Sequence, residues 1–410
     1  MSGVDSRGHV VVVGASLAGT RTALALRTLG YTAPITLIGA EDELPYDRPP
    51  LSKDLLKGAW SDEAVAALRL SSADELAELD IDLRLGSAAV ALDPAGKTVS
   101  LADGTTVVYD TLVIATGAVA RPSPWQPESG VYQLRTLADS RAIAGRLALG
   151  EPVVVVGGGF IGTEIAAAAR SHGCPVVVVD PVPEPMARLV GPEIADVLVG
   201  LHRRNGAETR FGVGVAGISG TAGDLTITLA DGTELSAGTA VVGIGSVPCD
   251  GWLAGSGLAI DNGVITDGFL RAEGADDVFA IGDVARWPHP GRGVDVRAEH
   301  WTNAGDQARY IAAAISGGGA DAPYAPTDYV WSDQYDWKVN SVGWRDPEGA
   351  SFVVGDLADE GRVAVIHEDA HGVACGAVTV NWVKALNQAR RLLASGGPAA
   401  TLVDQLRQLA

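Results

Sequence analysis

The sequence contains little cysteine, little methionine, few aromatic residues and a deficit of positive charge. Its 410 residues include three cysteines and two methionines, 5% are aromatic, and 30 basic residues are outnumbered by 50 acidic ones. Cys174, Cys249 and Cys375 lie far apart in the chain, which excludes a disulfide framework and a Cys-x-x-Cys metal site. So few cysteines are typical of a protein of the reducing cytoplasm.

Long hydrophobic runs are also missing. No stretch is long and apolar enough to cross a bilayer, and the net charge of -20 argues against nucleic acid and anionic membranes as partners. Hydrophobic residues make up 47% of the chain and charged residues 20%, which is ordinary for a packed globular protein. At roughly 100–200 residues per domain, the length predicts two or three domains.

What the sequence does contain is a glycine-rich turn after a run of valines. Residues 10–19 read VVVVGASLAG, which is close to the Gly-x-Gly-x-x-Gly fingerprint that places a dinucleotide pyrophosphate between a strand and a helix. Gly14 and Gly19 occupy the first and third glycine positions, and Ser16 stands in the second. A single imperfect copy is equally well explained as a tightly packed strand–helix junction.

A second copy of the motif is complete. Residues 153–162 read VVVVGGGFIG, with Gly157, Gly159 and Gly162 in the three fingerprint positions. The first glycine makes a tight turn, the second lets the backbone approach the pyrophosphate, and the third lets helix and strand pack closely. The N-terminus of the following helix attracts the phosphates. Two copies together predict a protein that binds two dinucleotides.

Each copy is followed by a carboxylate at the expected distance. Glu41 lies 22 residues after Gly19, and Asp180 lies 18 residues after Gly162. An acidic residue about 20 positions on binds the ribose hydroxyls of a dinucleotide. Because it would repel a 2′-phosphate, Asp180 predicts NADH rather than NADPH in the second unit.

Two further strands support the same interpretation. Residues 109–117 read YDTLVIATG and residues 279–283 read FAIGD, so one strand ends in Ala115, Thr116 and Gly117 and the other in Gly282 and Asp283. Each alone is an ordinary strand followed by a turn. Together, in this order before and after the second dinucleotide unit, the two strands are much more specific for a protein that binds two dinucleotides.

With these motifs the sequence resembles the two-dinucleotide flavoprotein disulfide-reductase superfamily, and more narrowly the NADH-dependent ferredoxin reductases of bacterial oxygenase systems, the putidaredoxin reductase type. The narrower resemblance rests on LPYDRPPLSKDLL at residues 44–56, LRTLAD at residues 134–139 and VWSDQYDWKVNSVG at residues 330–343. Ser16, Ala40 and Val330 depart from the usual pattern of these proteins. Because Ala40 replaces an acidic residue, Glu41 is expected to make the ribose contact.

The resemblance implies an α/β fold with two Rossmann-like, glutathione-reductase-like domains and a small α+β C-terminal domain. A discontinuous FAD-binding domain would comprise residues 1–114 and 246–320. An NADH-binding domain would comprise residues 115–245, and a C-terminal reductase domain residues 321–410.

The resemblance also implies the site residues, position by position. FAD would be held by Gly14, Ser16, Leu17, Ala18, Gly19, Glu41, Arg48, Lys53, Ala89, Ala115, Thr116, Gly117, Arg135, Gly282, Asp283, Trp301 and Trp331. NADH would be held by Gly157, Gly159, Phe160, Ile161, Gly162, Glu164 and Asp180. The histidines show no triad or metal-binding spacing, so no metal is expected.

Three of these residues are expected to be catalytic: Lys53, Glu164 and Trp331. In proteins of this kind the lysine and the glutamate form an ion pair near flavin N5, and the tryptophan closes over the flavin ring. Spacing alone favours simpler explanations, namely a solvated lysine at a helix start, an acid favoured by a helix dipole and a core or interface tryptophan. The loop RPPLSKDLL contains no cysteine, so no thiol is expected to relay electrons.

The activity implied is transfer of a hydride from NADH to flavin N5, followed by single electrons to an iron–sulfur ferredoxin, expected to be a [2Fe–2S] protein. The ferredoxin would supply a cytochrome P450 or a Rieske oxygenase. Two alternatives remain open at this point. One is another acceptor, namely oxygen, a quinone or rubredoxin. The other is a redox-sensing flavoprotein in which turnover is incidental.

Overall fold

The computed structural model describes residues 8–58, 60–318, 321–356 and 362–409. Among these residues the helices are α1 (Leu17–Thr28), α2 (Asp54–Lys57), α3 (Asp62–Ala66), α4 (Ala73–Glu78), α5 (Leu137–Leu147), α6 (Phe160–Ser171), α7 (Ala187–Val190), α8 (Pro192–Arg204), α9 (Trp301–Ala313), α10 (Val383–Ser395) and α11 (Ala399–Arg407). Short 3-10 helices cover Pro49–Ser52, Gly251–Leu253 and Gly282–Val284, and a π-helical segment covers Ala314–Gly318.

The strands of the same residues are β1 (Val10–Val13), β2 (Ile35–Ile38), β3 (Ile81–Arg84), β4 (Ala89–Asp93), β5 (Thr98–Leu101), β6 (Thr106–Val108), β7 (Thr111–Ile114), β8 (Ala118–Ala120), β9 (Val131–Tyr132), β10 (Val153–Val156), β11 (Val176–Asp180), β12 (Ala207–Phe211), β13 (Val215–Thr221), β14 (Asp224–Leu229), β15 (Glu234–Ala237), β16 (Thr239–Val242), β17 (Ser246–Pro248), β18 (Val264–Ile265), β19 (Val278–Ala280), β20 (Ala285–His289), β21 (Val294–Val296), β22 (Tyr329–Gln334), β23 (Trp337–Gly343), β24 (Ser351–Gly355), β25 (Val363–Glu368) and β26 (Ala374–Val380).

The chain divides into two compact units. The first comprises Met1–Asp47, Ala66–Val119 and Ser246–Pro326, and the second comprises Arg48–Val65, Ala120–Gly245 and Thr327–Ala410. The predicted three-domain boundaries remain a proposal. The predicted segments 1–114, 246–320 and 321–410 include residues 1–7, 59, 319–320, 357–361 and 410, which lie outside the described residues.

The first unit is built on a five-stranded parallel sheet in the order β19-β7-β1-β2-β3. All four valines of β1 are buried, as expected for a parallel strand whose two faces are both covered. On one face, residues of α1 and α9 join a core that includes Leu26, Trp287 and Ile311. On the other face, Val11 packs with Val99 of the antiparallel sheet β4-β5-β6. Because β1, β2 and β7 pair in register, they end at one edge, where open α/β sheets bind ligands.

The second unit contains an analogous parallel sheet in the order β12-β11-β10-β16-β9. Its central strand β10 is again four buried valines and runs directly into α6. Val156 pairs with Val179 of β11 and Val242 of β16, so these three strands also end at one edge. The antiparallel sheet β13-β14-β15 packs against the parallel one through Leu225, Ile227 and other buried residues.

The second unit also contains an antiparallel sheet in the order β22-β23-β26-β25-β24. Alternate residues of its strands face opposite sides, as the two-residue period of a strand requires. Ala364 and Ile366 pack with residues of α10 and α11, whereas Val363 and Val365 pack with residues of α7 and α8. Two Rossmann-like sheets and a smaller α+β part confirm the predicted α/β fold class.

Candidate active site

The first glycine-rich turn connects β1 to α1 in the first unit. Gly14 has a φ of +120°, and a Cβ built on it would collide with the carbonyl oxygen of Ala115. A Cβ on Gly19 would collide with the carbonyl oxygen of Gly14. Ser16 is the N-cap residue of α1. The two glycines are therefore required by the backbone itself, whereas the middle position accepts a small side chain.

The second turn repeats this construction between β10 and α6. Gly157 has a φ of +113°, and a Cβ there would collide with the carbonyl oxygen of Gly243. A Cβ on Gly162 would collide with the carbonyl oxygen of Gly157. Gly159, the N-cap residue of α6, has no heavy atom within 4 Å of the position of a Cβ. Its side-chain direction is open space at a helix N-terminus, which is the place for a pyrophosphate.

The two residues that follow Gly159 differ in their surroundings. Phe160 packs against the apolar cluster between α8 and the antiparallel sheet, whereas Ile161 is 49% exposed. A large apolar side chain exposed at the mouth of a glycine-rich turn fits contact with a bound planar group. The open cradle and this exposed residue fit a dinucleotide in the second unit.

Asp180 lies at the end of β11, and its carboxylate holds the glycine-rich turn. Oδ2 accepts a hydrogen bond of 2.8 Å from the backbone N–H of Gly158, and Oδ1 accepts one of 2.7 Å from the N–H of Val182. Each carboxylate oxygen can accept a second hydrogen bond. Asp180 therefore fixes the turn and keeps acceptor capacity for a ribose hydroxyl.

The corresponding carboxylate of the first unit is differently placed. Glu41 lies three residues beyond β2 and accepts a hydrogen bond of 2.6 Å from the hydroxyl of Tyr46. Ala40, at the preceding position, is exposed. Glu41 is thus held in a defined orientation at the carboxyl edge of the first parallel sheet.

The other predicted FAD residues of the first unit lie at strand ends and helix starts. Thr116 donates a hydrogen bond of 2.8 Å to the carbonyl oxygen of Cys249, and Gly117 has a φ of +69°. Trp301, the first residue of α9, donates a hydrogen bond of 2.7 Å to Asp47. The remaining members of this group are Leu17 and Ala18 in α1, Ala89 at the start of β4, Ala115 directly after β7, and Gly282 and Asp283 in the 3-10 helix Gly282–Val284.

The second unit contains the remaining predicted residues, among them Arg48, Arg135 and Trp331. The guanidinium of Arg48 donates a hydrogen bond of 2.7 Å to the carbonyl oxygen of Arg135. Trp331 lies in β22 opposite Asn340 of β23, and its ring stacks on Tyr329 with 5.8 Å between centroids and 21° between planes. Neighbouring side chains therefore fix the orientation of this indole.

Lys53 and Glu164 form a buried ion pair in the second unit. Lys53 Nζ lies 2.8 Å from Glu164 Oε2, and the two side chains are 12% and 2% exposed. Ser52 donates a hydrogen bond of 2.5 Å to the same Oε2, and Ser332 donates one of 2.6 Å to Oε1. A lysine ammonium and two hydroxyls thus surround one carboxylate, which is the condition under which a buried charge is tolerated.

Local structure explains why Lys53 reaches Glu164. Pro49 and Pro50 begin a 3-10 helix that ends at Ser52, and Lys53 then caps α2. The hydroxyl of Ser140 in α5 donates a hydrogen bond of 2.9 Å to the carbonyl oxygen of Leu51. This contact holds the proline-rich loop in place, so that Lys53 points at α6.

Two of the three thiols are buried and unreactive. Cys174 and Cys375 are buried, and burial raises the pKa of both thiols, which keeps them protonated and unreactive. The segment of the second unit that carries Lys53 has serine and lysine beside Glu164 and no cysteine. Electron relay through a thiol is therefore not built into this part of the chain.

Two residues that make buried hydrogen bonds to predicted site residues were not predicted from the sequence. Ser52 was not distinguished from the rest of its loop, although it binds Glu164 directly. Gln307 of α9 is fully buried, and its side-chain oxygen accepts a hydrogen bond of 2.7 Å from the N–H of Gly282. No local sequence signal identifies either residue. A buried glutamine and an exposed one look alike in a helix pattern, and a loop serine that binds a distant carboxylate looks like any other loop serine.

The described residues contain no cluster suited to a metal ion and no helix suited to crossing a membrane. No group of three or more His, Cys, Asp or Glu side chains in this part of the chain is arranged to hold a metal ion. None of the described helices combines the length and the apolar character that a membrane-spanning helix needs.

Each of the two parallel sheets has a glycine-rich turn in which a Cβ would collide with backbone, and a carboxylate at or shortly after the end of its second strand. Together the two sheets define a two-dinucleotide oxidoreductase. The chain belongs to the pyridine nucleotide-disulphide oxidoreductase family, whose family model matches residues 8–308. A reductase C-terminal family model matches residues 329–409. The predicted family membership is confirmed.

The proteins to which the chain is similar include reductase components of bacterial oxygenase systems. The chain is 38% identical over 389 residues to the ferredoxin–NAD(+) reductase component of the anthranilate 1,2-dioxygenase system of Burkholderia cepacia, covering 94% of each protein. It is similar in structure to putidaredoxin reductase in its covalent complex with putidaredoxin, with a TM-score of 0.90, 31% identity and coverage of 97% of this chain and 96% of the other. The ferredoxin reductase for the CYP199A2 system of Rhodopseudomonas palustris gives a TM-score of 0.90, 33% identity and coverage of 96% and 97%.

Proposed function

We propose that the chain is an NADH-dependent ferredoxin reductase with bound FAD. The chemistry supplied by FAD in such a protein is acceptance of a hydride from NADH and release of single electrons to an iron–sulfur ferredoxin. The ferredoxin supplies a cytochrome P450 or a Rieske oxygenase. The named activities of the proteins similar along nearly the whole chain support this proposal.

The observation that carries the proposal is the buried pair of Lys53 and Glu164. Negative charge develops on a flavin ring as it is reduced, and a fixed cation nearby stabilises that charge. Glu164 holds Lys53 at one position, and the two hydroxyls of Ser52 and Ser332 hold Glu164. We therefore assign Lys53 and Glu164 to the flavin side of the second unit, with Trp331 as the aromatic residue that covers the ring.

The residues proposed to hold the two dinucleotides lie in and near the two glycine-rich turns. In the first unit, Gly14, Ser16 and Gly19 hold the FAD pyrophosphate and Glu41 its ribose. In the second unit, the turn around Gly159 holds NADH. Asp180 selects NADH because its carboxylate repels the 2′-phosphate of NADPH.

The assigned reaction needs no thiol, and its electron acceptor is a ferredoxin. A [2Fe–2S] protein is the proposed partner, because the structurally similar putidaredoxin reductase was crystallised with putidaredoxin. We place the reaction in the cytoplasm, since the chain has only three cysteines, which are distant from one another in sequence.

The proposal is tested by acceptor dependence. Purified holoenzyme is mixed with NADH in air alone, with a [2Fe–2S] ferredoxin and cytochrome c as reporter, with rubredoxin, or with a quinone. We expect slow NADH consumption alone and strong stimulation by the ferredoxin. Fast NADH consumption without ferredoxin would identify an NADH oxidase. A preference for rubredoxin or a quinone would identify a different reductase. Slow turnover with every acceptor, together with an NADH-dependent change in oligomer size, would identify a redox sensor.

The role of Lys53 is tested separately. Lys53→Met should slow the reduction of bound flavin by NADH in a single turnover by about a hundredfold to a thousandfold, the range seen when one charge-stabilising group is lost. Lys57→Met, four residues on at the end of α2, is the matched control and should leave the rate unchanged. Equal rates in all three proteins would remove Lys53 from the mechanism.

A further inference from the structure

A line of buried polar side chains continues beyond Glu164 into the second unit. Gln334 Nε2 lies 3.3 Å from Ser332 Oγ, and Gln334 Oε1 lies 3.0 Å from His202 Nε2. His202 Nδ1 lies 3.1 Å from the hydroxyl of Tyr335. Ser332 and Gln334 are fully buried and His202 is 3% exposed. The contacts form one chain, Tyr335–His202–Gln334–Ser332–Glu164, across β22, α8 and α6.

The charge on Glu164 fixes the direction of every hydrogen bond in this chain. An ionised carboxylate only accepts, so the Ser332 proton is committed to Glu164 Oε1. Ser332 must then accept from an N–H, so the amide nitrogen of Gln334 faces it and the amide oxygen faces His202. That oxygen only accepts, and His202 must therefore carry its proton on Nε2.

The last link is the hydroxyl of Tyr335, which donates to the unprotonated Nδ1 of His202. Burial raises the pKa of Tyr335 to about 12, so this phenol remains a donor at neutral pH. Burial also lowers the pKa of His202, although the hydrogen bond to Gln334 opposes the shift. A neutral imidazole between one donor and one acceptor matches these surroundings.

Tyr335, at one end of the hydrogen-bonded chain, has a backbone conformation that its surroundings must support. Tyr335 and Asp336 form the two-residue turn between β22 and β23, because Gln334 pairs with Trp337. The φ of Tyr335 is +55°, a conformation that glycine and asparagine adopt readily and a bulky residue rarely does. The ring of Tyr335 also meets that of His202 edge-on, with centroids 5.2 Å apart.

We propose that Ser332, Gln334 and His202 are positioning residues that hold the carboxylate of Glu164 in the orientation that binds Lys53. Reversing one link alone would set two buried donors against each other, so Ser332, the Gln334 amide, the His202 tautomer and the Tyr335 hydroxyl can reverse only together. Aligned hydrogen bonds polarise and strengthen one another, and an opposed pair of buried donors is costly. The single-direction chain therefore stabilises the anion that anchors Lys53.

The same strand relates this chain to Trp331. Ser332 and Gln334 are two residues apart and lie on one face of β22, whereas Trp331 and Asp333 lie on the other. Fixing Ser332 and Gln334 against α6 and α8 therefore also fixes the strand from which Trp331 projects. Only the meaning of the chain for electron transfer depends on the proposed function, since its geometry is independent of it.

The tautomer of His202 gives a direct test. Long-range nitrogen–proton NMR spectra of holoenzyme with labelled histidine should show His202 as the Nε2–H tautomer at neutral pH. In Glu164→Gln, Lys53 and Ser52 keep the amide oxygen on their side, so the new NH₂ faces Ser332. The chain then reverses, and His202 should change to the Nδ1–H tautomer, whereas the remaining histidines should keep theirs.

The proposal would be overturned by an Nδ1–H tautomer of His202 in the unsubstituted protein, or by a His202 tautomer that is unchanged in Glu164→Gln. This outcome is separate from the proposed function, because the spectra report hydrogen bonding and not turnover.

A kinetic test asks whether Gln334 acts through Glu164. Gln334→Leu should slow flavin reduction by NADH on the order of tenfold, with an unchanged KM for NADH. Combined with Glu164→Gln it should add no further slowing, since the anion that it positions is already gone. Multiplying effects in the double variant would show that Gln334 acts by another route and would contradict the proposal.

Discussion

Lys53 Nζ lies 2.8 Å from Glu164 Oε2, and the carboxylate is 2% exposed. The two residues are 111 positions apart in the sequence, so the pair exists only when the proline-rich loop and α6 are both in place. Removing one partner from a buried pair leaves an uncompensated charge, whereas removing both can be nearly neutral. This asymmetry distinguishes a structural pair from incidental neighbours.

We therefore expect Lys53→Met to destabilise the holoenzyme by about 3 kcal/mol, the lower end of the range for breaking a buried pair, because Ser52 and Ser332 still donate to Glu164. The double variant Lys53→Met/Glu164→Gln should recover most of this loss. Thermal and urea unfolding measure both. Arg407→Met removes an exposed pair with Asp404 and is the control, for which at most about 1 kcal/mol is expected. Equal losses in the single and double variants would mean that the charges do not interact.

The glycines of the second turn should respond differently to one added methyl group. A Cβ on Gly162 collides with the carbonyl oxygen of Gly157, whereas a Cβ on Gly159 enters open space. Gly162→Ala should therefore destabilise the fold by about 3 kcal/mol, and Gly159→Ala by no more than about 1 kcal/mol. Gly159→Ala should nevertheless weaken binding of NAD(+), measured by calorimetry. Normal NAD(+) affinity in a folded Gly159→Ala protein would place the pyrophosphate elsewhere.

Asp180 should control the choice between NADH and NADPH. Because its oxygens also hold Gly158 and Val182, Asp180→Asn is preferable to alanine, since the amide retains an acceptor for the turn. Val182 is 51% exposed, so Asp180→Asn/Val182→Arg can place a cation beside a 2′-phosphate. The ratio of kcat/KM for NADH to that for NADPH should fall by about tenfold in the double variant, which corresponds to about 1.4 kcal/mol. Val182→Arg alone is the control, and an unaltered ratio in the double variant would contradict the ribose assignment.

Stability should fall below neutral pH because of His367. Burial lowers the pKa of His367 from 6.5 to about 4, Arg345 lowers it further and Glu193 opposes the shift. The unfolded chain therefore binds the proton more tightly than the folded protein does, and stability decreases as the pH falls from 6.5 towards about 4. The maximal contribution is about 3 kcal/mol at 1.36 kcal/mol per pKa unit.

Urea unfolding across this pH range tests the assignment. His367→Gln should flatten the decrease, although it also changes the contact between His367 Nδ1 and Ser351 Oγ of 2.8 Å. His371→Gln, at an exposed position four residues on, is the matched control and should leave the slope as it is. A slope that survives His367→Gln assigns the proton uptake to another group.

The parts of this fold that could be predicted from sequence are those specified by short segments. Gly157 and Gly162 lie within six residues of each other, and a Cβ on Gly162 would collide with the carbonyl oxygen of Gly157 in the same strand–helix turn. Strand order and the carboxylate positions follow from the same βαβ units. The antiparallel sheet could be placed only through the resemblance of residues 330–343.

The site was only partly predictable because its contacts join distant segments. Ser52 and Glu164 are 112 residues apart, Glu164 and Ser332 are 168 apart, and His202 and Gln334 are 132 apart. No periodicity or spacing encodes such contacts, and His202 shows no motif at all. His202 of α8 reaches Gln334 only because α8 packs on the antiparallel sheet.

The most direct test of the account is an anaerobic titration that counts electrons. Oxidised [2Fe–2S] ferredoxin in excess is mixed with a catalytic amount of the holoenzyme and limiting NADH, and reduced ferredoxin is measured by its absorbance or EPR signal. Because NADH gives two electrons and a [2Fe–2S] cluster takes one, the account predicts two reduced ferredoxins for each NADH, reached rapidly and only with the enzyme present. Consumption of NADH with little or no reduced ferredoxin would contradict it.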